Sequence, residues 1–411
     1  MKVLLLGGGG REHALGWKLK QNSRVAELIS APGNPGLAGL GEILPKVDPS
    51  DGPAIARLAQ KRAIDLVVVG PEAPLAAGVV DALALKRVPV WGPTRAAAAL
   101  ESSKAYAKEV MDRAGVRTAA WSQFDNARLA LAYLRQIEPP YVVKADGLAA
   151  GKGVLVTTDF GDAETWAKRC LDGEFGVRRI VIEKFLEGDE LSVFALCSGE
   201  QAIALEPARD FKRLRDGDKG PNTGGMGSYS QVVDLPPGIV HHTLEHVIKP
   251  VLRTMAEDGH PYTGFLYAGL VLTAGDPTVL EFNCRLGDPE TQVVLPRLAD
   301  DLLDLIEAGL SQRLDGLHLA WSSQAGLNVV MAAPGYPKAP ETGARIRLGE
   351  LPEGAMVFHA AIDRDAHGLV ASGGRVLNVV GTGPDLPTAR ARAYEAVSAI
   401  DFPGAQYRRD I

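Results

Sequence analysis

The sequence predicts a multidomain protein of mixed α/β and α+β class that opens on a doubly wound parallel sheet. Three observations lead there. Over the first hundred residues, β-type runs at Lys2–Leu6, Ala26–Ser30, Leu66–Val69 and Val88–Trp91 alternate with helical segments, the rhythm of parallel strands joined by crossover helices. Near the end, strand-like runs at Gly326–Ala332, Met356–Ile362, Leu369–Ala371 and Arg375–Val380 precede one helix at Leu386–Ile400, an α+β order. Finally, 411 residues exceed what one ordinary core serves.

The four early strands all end in Gly/Pro clusters: Gly7–Gly10, Pro32–Gly36, Gly70–Pro74 and Gly92–Pro93. In an open α/β sheet the carboxyl ends of strands line the ligand crevice, so these loops should converge there. Gly7–Gly10 leads into a helix at about Arg11–Leu19, whose first N–H groups suit a phosphate. A dinucleotide fingerprint is poorly met, since Glu12 stands where the third glycine belongs.

A helix follows over about Ser102–Arg113, capped by Ser102 or Ser103. Its Lys104 reads as a solvated face lysine, the usual fate of one, or as a phosphate contact. The strand Tyr141–Ala145 runs into DGLAAGKGV, three glycines around Lys152, and then the strand VLVT. Gly153 stands where a Walker-A loop needs a hydroxyl, so the loop reads as a glycine flap able to close over phosphates. A further strand over Arg179–Leu186 ends in the acidic turn Glu187–Glu190, ordinary hairpin charges by periodicity, or a ribose and adenine contact. The dense charges of Ala208–Asp218 and the glycine-rich Gly220–Ser230 look like one wall of an anionic-ligand site. A helix over Ile239–Glu257 precedes the strand run YTGFLYAGLVLTA, which can pair with TVLEFN through a turn at Gly275–Pro277. The helix Leu298–Leu310 and a linker at Arg313–Ser323 complete the middle of the chain.

The segment EFNCRLGDPETQ, Glu281–Gln292, concentrates the chemistry. Strand alternation puts Glu281 and Asn283 on one face, two oxygen donors suited to a hard cation such as Mg²⁺ that also holds nucleotide phosphates. Arg285 adds a planar fork for phosphate or carboxylate. By spacing alone the same residues read as a strand end with a solvated polar turn.

Composition bounds the function. A net charge of −6 argues against non-specific nucleic-acid binding, and no apolar run is long enough to span a membrane. Cys170, Cys197 and Cys284 are odd in number and lack metal-ligand spacing, which fits a reducing, cytoplasmic compartment.

The two glycine loops, the lysine-bearing strands and EFNCRLGDPETQ together resemble the ATP-grasp ligases. With GGGGREHAL, APGNPG, VGPEAPL, KADGLAAGKGV, GPNTGGMGSYS and YTGFLYAGL in order along nearly the whole chain, the sequence is similar to their glycinamide ribonucleotide synthetase branch. That resemblance implies a Rossmann-like first domain over 1–101, an ATP-grasp domain of two subdomains over 102–322 with a flap subdomain near 118–187, and a small C-terminal α+β domain over 323–411. It implies ligation of glycine to 5-phospho-β-D-ribosylamine, with ATP converted to ADP and phosphate through a glycyl phosphate, in purine biosynthesis. A cytoplasmic monomer acting on small molecules is expected, with no nucleic-acid or membrane partner.

Position by position, the resemblance makes Glu281 and Asn283 the Mg²⁺ or Mn²⁺ ligands. Lys104, Lys144 and the flap residues Gly147, Gly151, Lys152 and Gly153 would hold ATP phosphates. Glu183, Lys184, Leu186 and Glu190 would meet its hinge and ribose. Asp210, Lys212 and Arg285 would act on glycine, the amine or the acyl phosphate. The sugar phosphate is expected near Gly9, Gly10, Arg11, Glu12, Asn34, Pro71 and Glu72. Two departures stand out: FLYAGLVL offers no second metal carboxylate, and Phe211 stands where relatives commonly carry histidine. A different ATP-grasp acceptor is disfavoured by GREHA and PGNPG. A dehydrogenase or a non-catalytic nucleotide module is disfavoured by the broken glycine fingerprint and the intact Glu281/Asn283/Arg285 set.

Overall fold

The computed structural model describes residues 1–149, 153–273 and 277–411. Its first sheet is wholly parallel, in the order Glu42–Ile43, Glu27–Pro32, Lys2–Gly7, Leu66–Val69, Val90–Trp91. Val3–Leu6 and Leu66–Val69 are buried on both faces, which is why they read as unbroken apolar runs. The carboxyl ends of these strands lie together, and Asn34 Nδ2 donates to Gly8 O across 2.9 Å.

An antiparallel sheet of Trp121–Phe124, Ile180–Lys184, Tyr141–Ala145 and Val154–Thr157 forms a separate small unit. The helices Ala127–Leu134 and Phe160–Leu171 cover it, and Ala130, Leu134, Val143, Ala167, Ile180 and Ile182 make its own core. Facing it, a second antiparallel sheet runs Gln201–Ala204, Asp189–Ser198, Thr263–Leu272, Thr278–Asn283. The last pair sets Glu281 opposite Gly269 and Asn283 opposite Tyr267, with a register shift at Gly269/Leu270. The turn expected at Gly275–Pro277 lies largely outside the described residues.

A third sheet mixes distant parts of the chain: Arg209–Asp210, Gly227–Ser230, Ala325–Ala332, Arg375–Gly383, Ala355–His359. The helix Leu386–Ser398 packs on it through Ala389, Ala393 and Ala396. Two middle-chain strands thus complete a sheet that the sequence assigns to the C-terminal domain alone.

The helix expected over about Ser102–Arg113 runs Lys104–Arg113 with Ser103 as its cap, as the sequence suggested: the Ser103 hydroxyl accepts from Tyr106 N–H at 3.2 Å, and a short helix Ala99–Ser102 precedes it. Two other expected elements change shape. The helix near Leu298 starts only at Leu302, because Asp301 caps it and Leu298 bridges to Trp321 instead. The run Met356–Ile362 divides between two sheets, as Ala360 and Ala361 N–H turn to Val376 and Arg375 carbonyls.

Candidate active site

The strand Thr278–Asn283 delivers Glu281 and Asn283 to a cleft of about 340 Å³ between the two antiparallel sheets. Burial opposes ionisation of Glu281, but Lys212, Lys144, Lys104 and Arg285 outweigh it and hold its pKa below the usual range. Two oxygen donors on one strand face, one of them kept anionic, fit Mg²⁺ or Mn²⁺, which complete their shells with phosphate and water oxygens. Among the described residues no group of three or more His, Cys, Asp or Glu side chains forms a ready-made metal cage.

Lysines crowd the floor and roof. Lys104 Nζ, at the first turn of its helix, donates to Gly147 O at 2.9 Å, tying the helix to the base of the glycine loop. Burial lowers its pKa below that of a free lysine. Lys144 and Lys108 both meet Glu183, at 3.0 and 3.2 Å, with all three side chains almost wholly buried. Glu183, on the cleft lining, is therefore also the counter-ion that aims two lysines. Helical spacing could have exposed Lys108, since it lies four residues from Lys104 on the same face. Lys212 pairs with Glu190 at the rim.

The first domain supplies a second charge cluster. Arg285 bridges Glu72 at 3.2 Å and Glu101 at 3.1 Å, while Glu101 also accepts Cys284 N–H at 2.7 Å. Burial pushes Glu101 up to about 7 despite Arg285, whereas Glu72 is carried down to about 2 because Arg285 and Arg11 overcome its burial. Arg11 Nε donates to Glu12 Oε1 at 2.6 Å, and Glu12 Oε2 accepts Gly9 N–H at 2.7 Å. The helix N-terminus expected to hold phosphate thus also holds a carboxylate of its own chain, Glu12 accepting from the N-cap N–H of Gly9.

Asn34 and Gly10, both expected near the sugar phosphate, are each tied to neighbouring backbone and side chains. Asn34 donates to Gly8 O and, at 2.8 Å, to His359 O of the C-terminal sheet, and accepts Gly36 and Leu37 N–H. It is a buried bracket between domains. Gly10 faces Asn378 and Gln292 so closely that a Cβ would stand 2.2 Å from Asn378 Nδ2. Pro71 precedes the helix Glu72–Ala77 behind the cleft.

The C-terminal sheet reaches the cleft through Arg375, which pairs with Asp288 at 3.1 Å and donates to Asp288 O at 2.7 Å. Phe211 lies beneath the guanidinium of Arg408, 4.8 Å from ring to carbon, beside Tyr229. It is a packing platform turned away from the cleft.

Of the expected residues, Arg11, Glu72, Lys104, Lys144, Gly147, Gly153, Glu183, Asp210, Lys212, Glu281, Asn283 and Arg285 line this one cleft. Lys184 and Glu190 are exposed at its edge, with Leu186 partly covered, and Gly151 and Lys152 lie outside the described residues. Sequence reasoning missed Glu101, Lys108, Tyr267, Asp288, Glu290 and Arg375, all on the lining.

Family models match three consecutive stretches: the phosphoribosylglycinamide synthetase N domain over 1–101, its ATP-grasp (A) domain over 102–291, and its C domain over 326–411. The chain belongs to the phosphoribosylglycinamide synthetase family. A phosphoribosylamine–glycine ligase of Brucella melitensis is 47% identical over all of this chain and 97% of its own length. One of Mesorhizobium japonicum is 46% identical with the same coverage. The crystal structure of the Thermotoga maritima phosphoribosylamine–glycine ligase superposes with a TM-score of 0.87 at 36% identity, each chain fully covered. A Campylobacter jejuni biotin carboxylase in complex with β-γ-ATP shares the fold, with a TM-score of 0.77 at 17% identity over 99% of this chain and 93% of that one. The expected architecture, a Rossmann-like domain, an ATP-grasp core and a small α+β domain, is that of this family.

Proposed function

We propose that this ATP-grasp enzyme ligates glycine to 5-phospho-β-D-ribosylamine, converting ATP to ADP and phosphate and giving glycinamide ribonucleotide in purine biosynthesis. The observation that carries the reading is the meeting of Glu281, Asn283 and Arg285 with Lys104, Lys144 and the first domain's Arg11 and Glu72 around one cleft. The full-length family match supports the same reaction.

The proposed division of labour follows the charges. Lys104, Lys144 and the flap from Gly147 to Gly153, with Gly151 and Lys152, hold the ATP phosphates. Lys184, Leu186 and Glu190 at the rim take the adenosine, and Glu183 keeps Lys144 in place. Glu281 and Asn283 hold Mg²⁺ or Mn²⁺, which when bound neutralises charge on the transferring phosphoryl oxygens. Arg285 and Lys212 steady the glycine carboxylate as it accepts the γ-phosphoryl group, forming glycyl phosphate. The ribosylamine nitrogen then attacks that carbonyl and expels phosphate. Arg11 and Glu72, with the Gly9–Gly10 loop, Glu12, Asn34 and Pro71 shaping the wall, place the ribosyl phosphate beside it. No side-chain nucleophile is required, since the work is positional and electrostatic.

The domains proposed are 1–101, 102–322 and 323–411, in a cytoplasmic monomer. Among the described residues no helix is long and apolar enough to cross a membrane. The test is ADP release by purified protein with ATP, Mg²⁺, glycine and ribosylamine, omitting each in turn. Glycinamide ribonucleotide should appear in step with ADP; ADP release indifferent to glycine rejects the assignment.

A further inference from the structure

Lys212 reaches the cleft from the root of a β-hairpin that does little to hold itself in place. Among the described residues, the strands Arg213–Arg215 and Lys219–Asn222 pair only with each other, through an irregular register, and Lys219–Asn222 is exposed throughout. A lone two-stranded hairpin is at best marginally stable in water. Its roots nevertheless line the cleft: Asp210 and Lys212 on the way in, Thr223 and Gly224 on the way out.

The hairpin is held from a part of the chain some 190 residues further on. Arg408 is 1% exposed, and its Nη1 donates to Asp218 Oδ1 at 2.5 Å and to Arg213 O at 3.3 Å. Its Nε and Nη2 donate to the two carboxylate oxygens of Asp410 at 2.8 and 2.7 Å, a two-pronged pairing that fixes the guanidinium plane. Asp410 also accepts Gly217 N–H at 2.7 Å, and Asp216 accepts Arg409 N–H at 2.8 Å. Segment 408–411 is anchored in turn to the helix Leu386–Ser398, where Tyr394 Oη donates to Arg408 O at 2.8 Å and Arg390 Nε to Ile411 O at 2.6 Å. Three successive residues of the hairpin turn are thus tied to the C-terminal domain.

The same guanidinium lies 4.8 Å over the ring of Phe211. Phe211 N–H donates to Gly227 O at 2.9 Å, and its carbonyl accepts Met226 N–H at 2.7 Å, so the chain is extended here. Two-residue alternation then sends Asp210 and Lys212 to the cleft and Phe211 to Arg408. Thr223 closes the root by donating both its N–H and its hydroxyl to Lys212 O at 2.8 Å. We infer that Arg408, which lies off the cleft lining, is a positioning residue for the proposed ligation: it clasps the hairpin through Asp218 and, through Phe211, fixes the backbone that presents Lys212. A lysine there keeps the charge but loses both the fork and the stacking plane.

This inference rests on the role proposed for Lys212 in phosphoryl transfer, and the experiment separates the two. Full-length Arg408→Met and Arg408→Lys are compared with the unaltered chain in ADP release, melting temperature and trypsin cleavage after Arg213, Arg215 and Lys219, read by mass spectrometry. Asp218 and Asp410 are exposed, so Arg408→Met strands no buried charge and should fold. Loss of one charge-assisted clasp predicts hairpin cleavage faster by about 10- to 150-fold. Displacing the group it positions predicts a kcat lower by about 10- to 100-fold, with the ATP KM within about twofold. Low-millimolar guanidinium chloride, but not sodium chloride, should restore part of kcat in Arg408→Met, and Arg408→Lys should fall between the two. Faster cleavage with kcat unchanged would make the clasp purely structural and overturn the inference. So would a kcat that falls only in step with the melting temperature and is not rescued by guanidinium, or no change in either rate. Wild-type protein lacking glycine-dependent ADP release would instead remove the proposed function, and the positioning role with it, before any variant is compared.

Discussion

Replacing Glu183 with glutamine should unfold the flap subdomain more than it weakens any ligand contact. Glu183 lies 3.0 Å from Lys144 and 3.2 Å from Lys108, and the side chains are 2–5% exposed. Glutamine keeps the shape but leaves two ammonium groups facing each other out of water. Breaking a buried pair by removing one partner costs about 3–5 kcal/mol. An independent bound comes from neutralising one lysine: from an ordinary pKa of about 10.4 to pH 7 is roughly 3.4 units, or about 4.6 kcal/mol. Both routes place the loss near 4 kcal/mol, a large part of a domain's stability.

The sign with pH follows from linkage. Burial already lowers the Lys108 pKa, Glu183 opposing it, so the variant lowers it further. The unfolded chain then binds more protons than the folded one, and stability rises with pH. The deficit should therefore shrink between pH 7 and 10. Urea unfolding followed by Trp121 and Trp166 fluorescence, both in this subdomain, measures it. A loss under about 1 kcal/mol, with a raised ATP KM as the sole effect, would refute the counter-ion argument and return Glu183 to direct ligand contact.

Other outcomes are expected from the same charges. Glu281→Gln should raise the Mg²⁺ concentration needed for half-maximal ADP release at least tenfold, since a neutral amide replaces an anionic ligand; an unshifted requirement removes it from the metal. Arg285→Lys should lower kcat/KM by at least 100-fold, because a point charge cannot bridge Glu72 and Glu101 as the fork does. Glu101, raised to about 7, makes the folded state bind the extra proton between about pH 4.5 and 7, so its contribution to stability falls as pH rises through that window. Glu101→Gln should flatten the pH dependence of the melting temperature there. All three cysteines are buried, with thiol pKa values pushed up by burial, so iodoacetamide at pH 7 should label them only after unfolding, as mass spectrometry would record.

The parts of this fold most legible in the sequence are those whose cause is local. Leu66–Val69, Tyr141–Ala145, Val154–Thr157 and Thr278–Asn283 stand where their β-branched and apolar runs place them. The Ser103 cap is legible from its position ahead of the helix, whereas Asp301 moves a helix start through side-chain capping that competes with apolar periodicity. What stays hidden is pairing at long range. Nothing near Arg209–Asp210 indicates a partner strand that ends in a sheet with Ala325–Ala332. In the site, Glu281 and Asn283 are legible because two-residue alternation along their strand fixes their common face. The roles of Asn34 and Glu12 are not, because the same polar side chain serves a ligand, a backbone N–H at a helix start or an interdomain bracket, and only its neighbours distinguish these. Glu290 and Arg375 reach the cleft through tertiary placement that no spacing encodes.

The mixed sheet also has a consequence for how the protein is made. Asp210 and the Gly224–Gly225 loop are held by the strands Arg209–Asp210 and Gly227–Ser230, whose next neighbour, Ala325–Ala332, leaves the ribosome much later and itself pairs with the still later Arg375–Gly383. The parallel sheet and the flap unit can close as soon as they emerge, since their pairings are nearly complete within themselves. The catalytic wall cannot, and waits as an open edge through the synthesis of the last third of the chain. Competence therefore arrives in a single late step, and a truncated product would retain an unfinished pocket rather than a partly active one.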